Sequence, residues 1–411
     1  MERLYKTLSG AALLGLLAFT TTAFAQQVVA PMSTPAPVAE KQAAASSGAA
    51  SGLTSSVAAT SSGLRLGPFN LRPHAFYRYL YGDGLRSADG EQKKTALQSF
   101  SPGIYGELGT HLNFDYTATW NIYSSRGFRD TIDHSATIHW STQYQDWSLG
   151  AGHSYSQFDS PSVETGRQTK QSSQVSTFNA MRALGSRYAL ETSLAQNLRF
   201  AEGYNDPYTW SVREMLHQKT TPQIDTGIGV DYSYTAIKKN ADMGALQLLA
   251  SLSWRPIQQL NMSLQGGLEK RRVYSKPSAD TSGPVYSGSI QFIPTNTTQV
   301  GVTASRSTSA SFFDNQLTES TGYGINFQQR LLQHYQFASS YTHQETKYTS
   351  TLPGFIVNRK DKTDSVNLSL GTSFLARFRT SIAYQFSNNS SNRSEFKFTS
   401  SQISFEIGYS F

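Results

Sequence analysis

Read in steps of two, the chain from Phe69 onward separates into a greasy register and a wet one. In "HLNFDYTATWNI", Leu112, Phe114, Tyr116, Ala118, Trp120 and Ile122 share one side, with Asn113, Asp115, Thr117, Thr119 and Asn121 opposite. Strands place alternate residues on opposite faces, whereas a helix returns its apolar residues every three or four positions. The pattern therefore predicts β-structure. It recurs in "LNMSLQGGLE" (Leu260, Met262, Leu264, Leu268), in "VNLSLGTSF" (Val366, Leu368, Leu370, Phe374) and in "FRTSIAYQF" (Phe378, Ile382, Tyr384, Phe386). The final eleven residues, "SQISFEIGYSF", alternate most strictly, with Ile403, Phe405, Ile407, Tyr409 and Phe411 on one parity.

Alternation alone does not say which face is wet. A soluble sandwich turns its apolar face to a core, while a membrane barrel turns it to lipid. The connections discriminate. Short turns are expected near Gly109-Thr110, Gln145-Asp146, Leu184 to Arg187, Thr220 to Pro222, Arg255 to Ile257, Pro294 to Thr297, Leu331 to Gln333 and Leu375-Ala376. Longer polar stretches fall between them, beginning with Gly82 to Ser99 and including Asp159 to Lys170 and Asn388 to Glu395. Short turns alternating with long loops are what an up-and-down meander through a bilayer requires. The expectation is an all-β, transmembrane, antiparallel barrel of about 18 strands, within a range of roughly 16 to 18. A stacked β-helix or a secreted sandwich leaves that alternation of connection lengths unexplained. Hydrocarbon offers no partner to an open sheet edge, so the last strand is expected to pair with the first, near Phe69 to Tyr79.

Composition fits this reading. The 411 residues include no cysteine, 22 Tyr and 23 Phe, and only 15% are charged. The formal net charge is +7, yet no Lys/Arg-rich run or basic helix marks a nucleic-acid surface. Met1 to Ala25 has the layout of a secretory signal peptide: Arg3 and Lys6, an apolar stretch Ala11 to Phe19, then Ala23-Phe24-Ala25. Residues 26–63, rich in Ala, Ser and Pro, lack the large apolar side chains that offset ordering entropy. They are expected to form a disordered periplasmic tether, with a segment folded into the lumen or bound to a partner as the alternatives. The barrel is assigned to residues 64–411. No segment approaches the continuous apolar length of a transmembrane helix.

The patches "SPGIYGELGTHLNFDYTATWNIY", "WRPIQQLNMSLQGGLEKR" and "SQISFEIGYSF" resemble the β-barrel porin 2 family of bacterial outer-membrane proteins, over about residues 69–411. The resemblance implies an outer-membrane barrel and transfers no ligand residues. Phe405, Ile407, Tyr409 and Phe411 also resemble the C-terminal signal read by the bacterial barrel-assembly machinery. Outer-membrane lipid and that machinery are the expected partners, and a homo-trimer is left open.

Strand parity places Arg199, Arg213, Arg255, Arg271, Arg330, Arg377, Arg379, Asp115, Glu191, Asp225, Asp231, Glu269 and Glu406 on the lumen side. They could line a hydrated channel with a mild anion preference, or pair into ladders that stiffen the wall. Passive diffusion of small polar solutes is the leading expectation. A conduit for exported polysaccharide and a structural barrel with a closed lumen are the alternatives. Stacked inward aromatics would mark a sugar conduit, whereas Tyr116, Tyr232 and Tyr384 fall on the outward parity. The loops Gly82 to Ser99 and Asp159 to Lys170 are candidates for a constriction. Asp83, Asp89 and Glu91 lack the spacing of an EF-hand, and the histidines show no metal-ligand spacing, so no metal or cofactor is expected. In "GAGHSYSQFD", His153 and Ser154 are adjacent on a strand and point to opposite faces, which argues against a hydrolase built on that pair.

Overall fold

The computed structural model describes residues 64–237, 242–274, 280–332, 334–351, 357–374 and 377–410. The expected signal peptide and tether, and Phe411, lie outside these residues. Among the described residues there are nineteen strands: β1 (Leu64–Leu66), β2 (Phe69–Arg86), β3 (Gln92–Leu108), β4 (Leu112–Tyr123), β5 (Thr131–Tyr144), β6 (Trp147–Pro161) and β7 (Gln168–Leu184). They continue as β8 (Tyr188–Ala201), β9 (Pro207–Thr221), β10 (Ile224–Ile237), β11 (Met243–Ile257), β12 (Leu260–Val273) and β13 (Thr281–Thr295). The set ends with β14 (Thr298–Ala310), β15 (Gln316–Leu331), β16 (Tyr335–Ser350), β17 (Arg359–Phe374), β18 (Phe378–Ser391) and β19 (Phe398–Ser410).

Each strand from β2 to β19 pairs antiparallel with its neighbours in sequence, and β19 pairs with β2 from Ser410 opposite His74 to Ser401 opposite Asp83. Eighteen strands thus close a ring. The remaining strand, β1, pairs with Phe69–Leu71 of β2 through a tight hairpin. Gly67 has φ 61° there, a left-handed value that suits glycine at the first central position of a two-residue turn.

The faces are inverted relative to a soluble protein. Large apolar side chains are exposed in every sector of the ring, Ile228 and Leu268 to 67%. Thr95, Ser99, Asn121, Asp231, Glu269 and Asn389 are buried on the inner parity. The final alternation has its destination in this scheme, since Ile403 and Phe405 stand exposed on the outer face.

Two expectations need correction. The stretch Arg255 to Ile257 belongs to β11, and the turn follows it; Pro256 sits where the β11–β12 register shifts. Pro294 likewise lies inside β13, at an irregularity between Phe292 and Thr295. Bulges tolerate proline because no ladder N–H is required there. The long loops are also shorter than expected, since β2 and β3 leave only Ser87–Glu91 between them and β6 and β7 only Ser162–Arg167. Above the membrane both faces of a strand are wet, so alternation fades while the ladder continues.

One hairpin leaves the wall. Pairing between β13 and β14 stops at Tyr286 opposite Arg306, although β14 and β15 remain paired up to Ala310 opposite Leu317. Ala310 and Leu317 share the parity of the exposed Val302 and Ile325, yet they are buried with Ile237, Met243 and Val273 from β10 to β12. The latter three share the parity of the lumen-facing Asp231 and Glu269. The tip of β14–β15 therefore bends inward, laying its outer face on the inner face of β10–β12. The Arg271 guanidinium secures the bend by donating to the Thr308 carbonyl at 2.9 Å.

Candidate functional site

The bent tip carries Ser311–Asn315 across the outer mouth of the barrel, where it meets loops from the other side. The Glu164 carboxylate, between β6 and β7, accepts from Ser311 Oγ at 2.9 Å and from the Phe312 N–H at 2.8 Å. Asn205, between β8 and β9, donates its backbone N–H to the Phe312 carbonyl at 3.0 Å and its amide to Asp314 at 2.6 Å. Phe313 packs edge-on against Tyr204 and against Phe396 of the β18–β19 loop.

Two arginines from the wall gather these loops. Arg359, at the start of β17, donates to the carbonyls of Glu164 (3.0 Å) and Val163 (3.1 Å) and to Asp361 (2.6 Å). Its guanidinium lies over the rings of Phe396 and Tyr348. Arg86, at the end of β2, donates to the carbonyls of Gly166 (2.9 Å), Glu395 (2.5 Å) and Lys397 (2.6 Å). Both arginines are only 6% exposed. Buried guanidinium groups need several acceptors held in place, and loop carbonyls supply them here. β6 and β17 are far apart around the ring, so this hub bridges the lumen and narrows its outer end.

Below the hub the inner face carries paired charge. Arg213 meets Asp231 at 2.9 Å and Arg271 meets Glu269 at 2.9 Å. Arg199 approaches Glu164 at 3.5 Å and lies over the Phe312 ring, so it belongs to the hub. Glu191 and Asp225 converge on His217, at 2.9 and 3.3 Å from its two ring nitrogens. Asp115 lies 3.8 Å from His74, and Glu406 stands opposite Arg78 in the β19–β2 ladder. Arg255 and Arg330 sit exposed near the inner turns. Arg379 follows the inward parity of β18, whereas Arg377 precedes that strand and donates to Tyr409 Oη at 3.4 Å, at the inner rim.

The acidic turn does not gather its carboxylates. Asp83 faces Lys94 at 3.3 Å, while Asp89 and Glu91 share Lys93. Hydrogen bonds from Ser87 and Lys93 pull the Asp89 carboxyl down to about 2. His153 and Ser154 diverge as strand geometry requires; the His153 ring instead hydrogen-bonds Ser176 Oγ on β7 at 2.9 Å.

Sequence reasoning missed Arg86, Arg359, Asp361 and Phe396. No local pattern marks them, because the hub joins segments hundreds of residues apart. The usable signal was the pair of stretches read as constriction candidates, Gly82 to Ser99, which holds Arg86, and Asp159 to Lys170, which holds Val163 and Glu164.

Closure, even strand number in the ring and inverted faces define the class: a transmembrane antiparallel β-barrel. No family model and no curated protein matches the chain. Among solved structures it is similar to Pseudomonas aeruginosa OccK2 (OpdF), with 11% identity, TM-score 0.46, and 83% of this chain and 98% of that one covered. A BenF-like porin from Pseudomonas fluorescens Pf-5 gives 9% identity, TM-score 0.46 and coverage of 83% and 99%. Acinetobacter baumannii OccAB3 gives 12% identity, TM-score 0.43 and coverage of 83% and 99%.

Proposed function

We propose that the chain is a passive channel for small polar solutes in the bacterial outer membrane, with an outer mouth narrowed by the Arg86–Arg359 hub. The observation that carries this reading is the closed ring with its polar face inward. Water in such a lumen replaces hydrocarbon along the solute's path, and inward side chains set size and charge limits. The reading includes a secretory leader over residues 1–25, a tether over residues 26–63, and recognition of the last strand by the assembly machinery. The finer assignment to the β-barrel porin 2 family rests on the quoted alternation alone.

Conduction of an extended polysaccharide is the weaker reading. Sugar rings need open aromatic faces; at the hub Phe312 and Tyr348 are 3% and 4% exposed and covered by arginines, and on the wall the inward Tyr105 lies under Arg72 while Phe76 packs against His74. Catalysis is not part of the proposal. Purified protein in a planar bilayer should give discrete, steady conductance steps. Silence from protein that is folded and inserted would sink the channel reading in favour of a closed structural barrel.

A further inference from the structure

Six neighbouring strands carry an inner face unlike the rest of the ring. From β13 to β18 the residues facing inward are mostly Ser, Thr, Asn, Gln and Gly, as in "VGVTASRSTS" and "VNLSLGTS". Formal charge enters this arc only at its ends, with Arg330 and Arg379 at the inner rim and the Arg359–Asp361 pair in the hub. Between those ends every described inward position on these strands is uncharged. Elsewhere on the ring opposite charges meet, Arg72 with Glu107, Arg213 with Asp231 and Arg271 with Glu269.

Register turns the uncharged residues into rows. Gln291, Asn326, Ser340, Asn367, Gln385 and Gln402 stand opposite one another in successive ladders, with Gly301 between the first two. A Cβ at Gly301 would collide with the Asn326 amide, so the glycine makes room for it. Two residues nearer the outer mouth runs a row of hydroxyls from Ser289 on β13 to Ser400 on β19, broken only by Gly324. Asn367 donates to Ser340 Oγ at 3.4 Å, and the Ser365 and Ser387 hydroxyls lie 3.1 Å apart, so neighbours in a row reach one another. Rows follow the hydrogen-bonding direction, with members about 4.8 Å apart. In a barrel whose strands tilt by about 40°, a row is inclined to the membrane plane by the same angle. Six strand spacings therefore make a ramp about 30 Å long that climbs about 18 Å through the lumen.

Resting on the channel reading, we infer that β13–β18 form a track for small uncharged polyhydroxylated solutes, the chemical class of sugars and polyols. Hydroxyl and amide side chains both donate and accept. They replace, bond for bond, the water that a polyol sheds against the wall. An anion or a cation on the same ramp finds no opposite charge to offset its lost hydration. Neither row contains an aromatic ring, so a sugar is passed along and not retained.

The test compares three probes with one ring skeleton: labelled glucose, glucuronate and glucosamine, taken up by proteoliposomes holding the full chain. At about pH 6 they are neutral, anionic and cationic. Glucose should enter faster than either charged probe by about threefold or more. Asn326→Leu with Asn367→Leu keeps side-chain volume and removes two amides from one row. It should cut glucose uptake by about threefold or more while potassium chloride conductance steps stay as in wild type. Glucuronate or glucosamine matching or outpacing glucose in the wild-type protein overturns the inference, and this ranking stands even if the double variant does not assemble. Unaltered glucose uptake in a double variant that still conducts overturns the placement of the track on these rows. Either result leaves the channel intact. Inserted protein that passes neither salt nor any of the three probes would overturn the channel reading itself.

Discussion

At the scale of single residues, Arg359 shows how this barrel keeps charge away from bulk water. Its guanidinium is shared between Asp361, two loop carbonyls and two aromatic faces. Replacing it by Ala would strand the Asp361 carboxylate, which is 1% exposed, at a cost of about 3–5 kcal/mol, typical of a buried pair deprived of one partner. The expected outcome for Arg359→Ala is release of the hub: faster hydrogen exchange at Val163, Glu164 and Phe312, and larger conductance steps. Arg359→Lys should recover little, because an ammonium lacks the planar fork that serves several acceptors at once. Unchanged conductance in Arg359→Ala would show that the hub does not limit flow. None of this was visible in "VNRKD": Asp361 stands in that string among other charges, but the loop carbonyls of Val163 and Glu164 lie nearly 200 residues upstream.

At the scale of elements, the β14–β15 hairpin departs from a regular meander. The alternation in "TQVGVTASRSTSA" reports a strand and nothing of its bend, because Ala310 occupies an outward parity whether it faces lipid or a neighbouring wall. The bend depends on long-range contacts: the buried cluster with Met243 and Val273, and the Arg271 hydrogen bond to Thr308. Arg271→Met preserves much of the side-chain volume and removes the donor. Amides around residues 307–319 should then exchange faster, and single-channel records should show added flicker while the barrel stays folded. Quiet records with unaltered exchange would show that the apolar cluster alone holds the tip. Element boundaries were less legible than element number. Pro256 and Pro294 read as turn markers and are instead bulge residues, because an isolated proline signals a missing N–H without saying whether the strand ends there.

At the scale of the whole molecule, closure and the outward apolar face were readable because they depend on periodicity and on the alternation of short and long connections. The charge pattern of the lumen was readable only as parity. Of the inward residues expected to act together, Arg213 with Asp231 and Arg271 with Glu269 stand in direct contact, while Arg255 and Arg330 lie near the inner turns. Pairing of opposite charges across the wall leaves a weak net field, so ion selectivity should be modest. Asp231→Asn would free the Arg213 charge and should raise the anion/cation permeability ratio, read as a shift of reversal potential across a salt gradient. No shift would indicate that Arg213 lies off the path of permeant ions.

The short strand β1 closes a gap that the ring leaves open. β19 stops opposite His74, and Leu64–Leu66 take up the edge of β2 at Phe69–Leu71. The two ends of the folded chain therefore share one side of a single strand, like two short planks laid end to end along one rail. Anything that lengthened β19 in register would have to displace β1, so the position of the barrel's seam and the point at which the N-terminal segment departs are set by the same hydrogen bonds.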